Sequence, residues 1–117
     1  MRHGKKVKKI NLARDSRRKL VKNMATSLVL YEKIETTKAK AEAIGPFTEH
    51  LITIAKQKDE LKARRQLIRL SFDKNAVEKL IKELKPKYKD KSGGYTKIYK
   101  IGYRPGDSAE MVIIELV

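Results

Sequence analysis

A chain of 117 residues is the size of one domain and hides about two-thirds of its unfolded surface, enough for one modest core. Its 29 Lys and Arg against 14 Asp and Glu leave a net charge of +15, a self-repulsion that a polyanionic partner relieves. There is no cysteine, no apolar run near the roughly 18 residues of a membrane span, and no apolar segment after the basic start. Disulfides, thiolate metal sites, a membrane span and a secretory signal are therefore not expected, and the composition reads as that of a soluble intracellular protein.

Residues 1–13, "MRHGKKVKKINLA", lack helical or strand periodicity and read as a flexible basic arm; residues 14–117 read as one globular domain. Asp15 or Ser16 resembles an N-cap for a first helix. In that helix Leu20, Val21, Met24, Ala25, Leu28 and Val29 recur at helical spacing, with Lys19, Lys22, Asn23 and Thr26 opposite. "EKIETT", residues 32–37, is short and β-branched and reads as a strand. A second helix is predicted from near Thr37, with Ala41, Ile44, Phe47, Leu51, Ile54 and Ala55 in one phase and a kink at Gly45-Pro46.

Asp59 caps a predicted third helix to about Leu70, whose Lys62, Arg65 and Arg69 form a basic stripe. A fourth helix is predicted from about Lys74 to Leu84, with Val77, Leu80, Ile81 and Leu84 inward and Pro86 beyond its end. "YTKIYKIGY" and "MVIIELV" then form a hairpin joined by "RPGDSAE", in which Pro105 and Gly106 suit the two central positions of a type II turn. The expected fold is α+β in two layers: about four helices on a small mixed sheet of about three strands, in the order α-β-α-α-α-β-β, behind a basic N-terminal arm.

The charge is unevenly placed. Residues 1–22 hold ten basic residues against one acid, and residues 85–104 hold seven against one. Residues 23–84, with twelve against nine, are nearly balanced, and residues 105–117 are acidic. Charged surfaces that serve only solubility interleave both signs; the N-terminal segment does not. The candidate RNA-binding residues are therefore Arg2, His3, Lys5, Lys6, Lys8 and Lys9 in the arm and Arg14, Arg17, Arg18 and Lys22 on the first helix. Lys62, Arg65 and Arg69 on the third helix and Lys89, Lys91 and Arg104 around the hairpin complete the set, Arg104 having Asp107 as a competing partner.

Other chemistry is thinly represented. Gly93-Gly94 is followed by no Gly-Lys-Ser/Thr and no helix, so it is a positive-φ turn entering a strand more readily than a phosphate loop. On that strand Tyr95, Lys97, Tyr99, Ile101 and Tyr103 share one face by simple alternation. Two placements compete for the tyrosines: a platform for unpaired bases, and the core face with hydroxyls at its rim, which the scarcity of aromatics favours. His3 and His50 are too isolated for a metal or catalytic pair, and Asp107, Glu110 and Glu115 read as solvated acids. No catalytic residue, metal ligand or cofactor-binding residue is assigned.

Taken together, "MRH", "NMATSLV", "IETTKAKA", "PFTEHLITIAK", "GGYTKI", "GYRPGD" and the terminal "IELV" resemble, in order, the landmarks of one family, the seventeenth protein of the bacterial large ribosomal subunit. The resemblance spans essentially the whole chain. It implies an α+β domain with an arm that orders on binding, seated on large-subunit ribosomal RNA near the nascent-chain tunnel exit and beside neighbouring large-subunit ribosomal proteins. It implies a structural constituent of the cytoplasmic ribosome with no enzyme activity, no cofactor, no small-molecule substrate and no membrane association, in which Arg2, His3 and the basic start of the first helix meet RNA. A free-standing basic nucleic-acid-binding module is the alternative on charge alone; a metal-dependent nuclease and a membrane-surface protein are weaker rivals.

Overall fold

The computed structural model of the protein describes residues 14–71 and 73–117, so the basic arm of residues 1–13 lies outside the described residues. The first helix, α1 (Arg14–Tyr31), is under way at the first described residue, which places Asp15 and Ser16 inside it and not at its cap. It buries Ala25, Thr26, Leu28 and Val29. Thr26, expected on the polar face, is inside because its hydroxyl is satisfied there. It donates to the Lys22 carbonyl at 2.8 Å and lies 3.2 Å from the Ser71 hydroxyl.

The chain leaves α1 through Glu32, whose left-handed backbone (φ 63°) turns it into β1 (Lys33–Thr37). Thr37 then caps α2 (Lys38–Ala55), accepting from the Lys40 amide at 3.4 Å. The helix runs through Pro46 without a break. Beside it Gly45 brings α2 close to the sheet: a methyl there would sit 3.6 Å from Ile114 Cδ1 and from Thr96 Oγ1.

Asp59 caps α3 (Glu60–Leu70) as predicted, accepting from the Lys62 amide at 3.2 Å. The fourth helical segment is longer than its sequence suggests. Asp73 caps α4 (Lys74–Lys79), which passes into a π-helical turn over Leu80–Leu84 and then into α5 (Lys85–Lys87). A proline ring clashes with the carbonyl four residues earlier in a regular helix, and the wider turn relieves that clash, so Pro86 lies within the helical run instead of beyond it. Val77, Leu80, Ile81 and Leu84 are buried as the spacing predicts.

Two strands, β2 (Thr96–Tyr103) and β3 (Glu110–Leu116), close the fold in a sheet of order β1-β3-β2. Both pairings are antiparallel, a correction to the mixed sheet expected. β1 and β2 do run in the same direction, but the hairpin inserts β3 between them, so they never pair. Ile114 is the hinge of the register, opposite Ile34 on one side and Ile98 on the other. The helices α1 and α2 pack on one face of the sheet. There Val112, Ile114 and Leu116 join Leu28, Ile44, Leu51, Ile52, Leu67, Leu80 and Leu84 in one apolar core.

The tyrosines divide differently from the core placement favoured by composition. Tyr95 precedes the strand and is buried with Tyr88, their ring centroids 5.0 Å apart, whereas Tyr99 is 40% and Tyr103 74% exposed. Two features account for this. β2 is an edge strand, and its pairing shifts between Lys100 and Gly102, so that Ile101 is extra and the alternation of sides reverses. Tyr99 stands opposite Ile113 on the sheet face turned away from the helices; Tyr103, past the bulge, stands opposite Glu110 beyond the core.

Candidate nucleic-acid interface

The buried residues of α1 begin at Ala25, with Met24 packed partly buried against the core, so residues 14 to 23 reach beyond it. At 1.5 Å per residue this is an overhang of about 15 Å. It carries Arg14, Arg17, Arg18, Lys19 and Lys22 against Asp15 alone, and continues directly from the basic arm. Arg14, Arg18 and Lys19 are exposed on it and Arg17 is half-buried, which leaves these side chains within reach of a partner.

On α3 the stripe is exposed as predicted: Lys62, Arg65 and Arg69 face outward while Ala63 and Leu67 are buried. The neighbouring Arg64 has a different role. It forms ion pairs with Glu78 of α4 and, at 3.5 Å, with Glu60, which holds Glu78 below the usual carboxylate range and pins α3 to α4. The contact of Thr26 with Ser71 joins the middle of α1 to the end of α3, so the α1 overhang and the Arg69 end of the stripe leave the core from adjacent points. Arg69 also lines a cleft of about 360 Å³ with His50, Ile54, Gln57, Gln66 and Leu70, spanned by a Gln57–Gln66 side-chain bond of 3.2 Å. His50 is exposed on the surface of α2, as expected for a residue with no metal partner in the sequence.

Lys89 and Lys91 are exposed in the loop between α5 and β2. The Lys91 carbonyl is held by two donors, the ammonium of Lys56 and, at 3.0 Å, the hydroxyl of Tyr95. Gly94, with φ 66°, makes the turn that the glycine pair foretold. Buried Tyr95 therefore anchors this loop, while the side chains of Lys89 and Lys91 remain outside.

Arg104 is not part of that cluster. The start of α2 is tied to the hairpin by Lys38–Glu110 at 3.7 Å, and its end is tied to the loop by Lys56–Tyr95 at 2.8 Å. The 18 residues of α2 lie between these ties, a separation of about 27 Å. Arg104 is also engaged with both carboxylate oxygens of Asp107, its Nε at 3.1 Å from one of them. The guanidinium, helped by the Ala109 amide, holds the Asp107 carboxyl down at about 2. Gly106 supplies the positive φ (99°) of the predicted turn, although the closing bond comes from the Ser108 amide to the Arg104 carbonyl at 3.0 Å.

None of Arg14, Arg17, Arg18, Lys62, Arg65, Arg69, Lys89 and Lys91 has a carboxylate within ion-pair distance among the described residues. The paired cations are elsewhere. Lys79 and Lys87 close on Glu32 at 3.1 and 3.3 Å, Lys82 on Glu78 at 3.2 Å, and Lys38 and Lys100 on Glu110. Five acids, Glu32, Glu60, Glu78, Asp107 and Glu110, thus hold cations within the fold, and the basic residues named first are left without an ion pair at its surface among the described residues. Among the described residues no group of three or more His, Cys, Asp or Glu is placed to hold a metal ion, and no helix is long and apolar enough to cross a membrane.

This chain matches the profile of the family described as ribosomal protein L17 over residues 20–117. It is 47% identical to the large ribosomal subunit protein bL17 of Hydrogenobaculum sp. (strain Y04AAS1), over 100% of this chain and 99% of that protein. It is 46% identical to bL17 of Bradyrhizobium diazoefficiens, over 100% of this chain and 84% of that protein, and 44% identical to bL17 of Desulforudis audaxviator, over 94% and 97%. The resemblance read from the short motifs thus holds across the whole length, and the chain belongs to the ribosomal protein L17 family.

Proposed function

We propose that this protein is a structural constituent of the large ribosomal subunit that binds and stabilises folded large-subunit ribosomal RNA. The observation that carries the reading is the exposed basic surface of Arg14, Arg17 and Arg18 on α1, Lys62, Arg65 and Arg69 on α3, and Lys89 and Lys91 in the loop before β2, none of them in an ion pair among the described residues. Lys and Arg on such a surface displace counterions from the phosphate backbone and relieve the repulsion between RNA segments brought side by side. Recognition is of RNA shape and backbone, because the exposed cations are spread along helices and present no groove-reading element.

Within this reading the arm of residues 1–13 threads between RNA segments and orders on binding, with Arg2, His3, Lys5, Lys6, Lys8 and Lys9 as its contacts. Arg14, Arg17, Arg18 and Lys22 extend that contact along α1, and Lys62, Arg65 and Arg69 add a second line. Neighbouring large-subunit ribosomal proteins are the other partners, and the position near the nascent-chain tunnel exit belongs to the same reading. The role is architectural, with no catalytic step.

Binding of the full chain to large-subunit ribosomal RNA across a salt series tests this. Neutralising six to ten phosphates predicts a fall in affinity of about 10³- to 10⁵-fold between 50 and 200 mM salt. A flat salt dependence would remove RNA from the account. Equal affinity for an unrelated RNA duplex would instead favour a free-standing basic module.

A further inference from the structure

Five lysines near the end of α2 stand apart from the arm and from the two helical stripes. Lys56, Lys58, Lys85 and Lys89, with the ring of Pro86, line a cleft of about 480 Å³ beside the loop that carries Lys91. That is within the size range of ligand clefts in general, about 300 to 1,000 Å³. None of the five forms an ion pair among the described residues.

Two of the lining cations are already fixed in place. Lys56 donates to the Lys91 carbonyl and, at 2.8 Å, to the Tyr95 hydroxyl, and its ammonium lies 5.1 Å from the centre of the Tyr95 ring. Lys85 donates to the Gln57 carbonyl at 3.0 Å. An ammonium has three donors, so Lys56 keeps one and Lys85 two for a ligand. Because neutral groups tether them, their positive charge is not cancelled, and much of the side-chain entropy a ligand would otherwise have to remove is already gone. Lys58 and Lys89 are exposed at the same cleft and complete a set of four cations from two segments of chain.

We infer that this cleft is a phosphate site that seats a phosphodiester of the RNA backbone, with Lys56 and Lys85 as its fixed base and Lys58 and Lys89 closing over the anion. Pro86 and the aliphatic lysine stems offer the apolar wall against which a ribose can lie. The site deepens the RNA-binding reading and rests on it. It also gives a function to Lys56 and Lys58, which stand in a stretch of mixed charge, and to Lys85, which opens the basic run of residues 85–104.

The test compares two double variants of the full chain, each lacking two lysines: K58A/K89A at the cleft and K33A/K100A on the sheet. Lys58 and Lys89 make no side-chain bond within the described fold, so circular dichroism should be unchanged for the cleft variant. Affinity for large-subunit ribosomal RNA is measured across salt. K58A/K89A is expected to weaken binding several-fold and to reduce the log–log salt slope by about 1, while K33A/K100A leaves the slope as it is. In parallel, amide shifts around Lys58 and Lys89 are followed by NMR with inorganic phosphate and with a short RNA oligonucleotide; the oligonucleotide is expected to move them at lower phosphate concentration. An unchanged slope for K58A/K89A, or an equal loss in both variants, overturns the cleft while leaving RNA binding intact. A response to inorganic phosphate alone overturns the phosphodiester assignment, and absence of any RNA binding by the unmodified chain removes both readings.

Discussion

At the scale of single residues, what separates a candidate contact from a structural cation is whether a carboxylate reaches it. Arg104 and Lys89 look alike in sequence, each basic and close to glycine. In the fold Arg104 is clamped on Asp107, whereas Lys89 has no acidic partner among the described residues. The Asp107 carboxyl, with an ordinary value of 3.8, is drawn down to about 2. Its pairing therefore favours the folded hairpin fully above pH 3.8 and is lost as the pH falls through about 2. Carbon-detected NMR titration of Asp107 should give a midpoint near 2, and Arg104→Ala should return it to the ordinary carboxylate range. An unmoved midpoint in R104A would show that Arg104 is free to contact phosphate after all. Of the cleft lysines only Lys89 was picked out from sequence, because what unites it with Lys56, Lys58 and Lys85 is the lining of one cleft, a juxtaposition no local pattern encodes.

At the scale of elements, the helices were the legible part. Periodicity identified most of the buried positions of α2 and of the helical run that α4 opens, Phe47 being only partly buried and Ile52 missed, and Asp59 and Thr37 marked helix starts correctly, because caps and amphipathic stripes are written within a few residues. The strand that carries the tyrosines was not legible in the same way. Strict alternation from Tyr95 to Tyr103 assigns one face, and a single extra residue at Ile101 reverses the assignment halfway. The bulge depends on Gly102, whose φ of 129° is poorly accessible to a residue with a side chain. Gly102→Ala should therefore cost about 1–3 kcal/mol in urea unfolding. Gly93→Ala, where an added methyl meets nothing within 4 Å, should be close to neutral. Equal stabilities for the two variants would mean that the bulge can move along the edge strand without loss. The continuation of α4 past Pro86 was also hidden, since a π-helical turn is a response to packing and leaves no periodic trace.

At the scale of the whole molecule, a net charge of +15 on 117 residues is carried by a fold that uses several of its acids for internal ties. Glu32 holds Lys79 and Lys87 at the exit of α1, and Glu78 holds Arg64 and Lys82 between α3 and α4. Many of the remaining cations lie on the α1 overhang, the α3 stripe and the lysine cleft, which suits a protein that bridges several RNA segments better than one that reads a single site. Removing part of that surface should weaken association without unfolding the domain, because Lys62, Arg65 and Arg69 make no ion pair among the described residues. The most direct measurement is sedimentation of the tagged full-length protein expressed in bacterial cells, compared with a K62E/R65E/R69E variant shown by circular dichroism to be folded. The unmodified protein is predicted in the large-subunit fractions and the variant shifted toward free protein at the top of the gradient. An unmodified protein found only at the top, or a variant that sediments with large subunits as fully as the unmodified chain, would contradict the claim that this basic surface holds the protein in the ribosome.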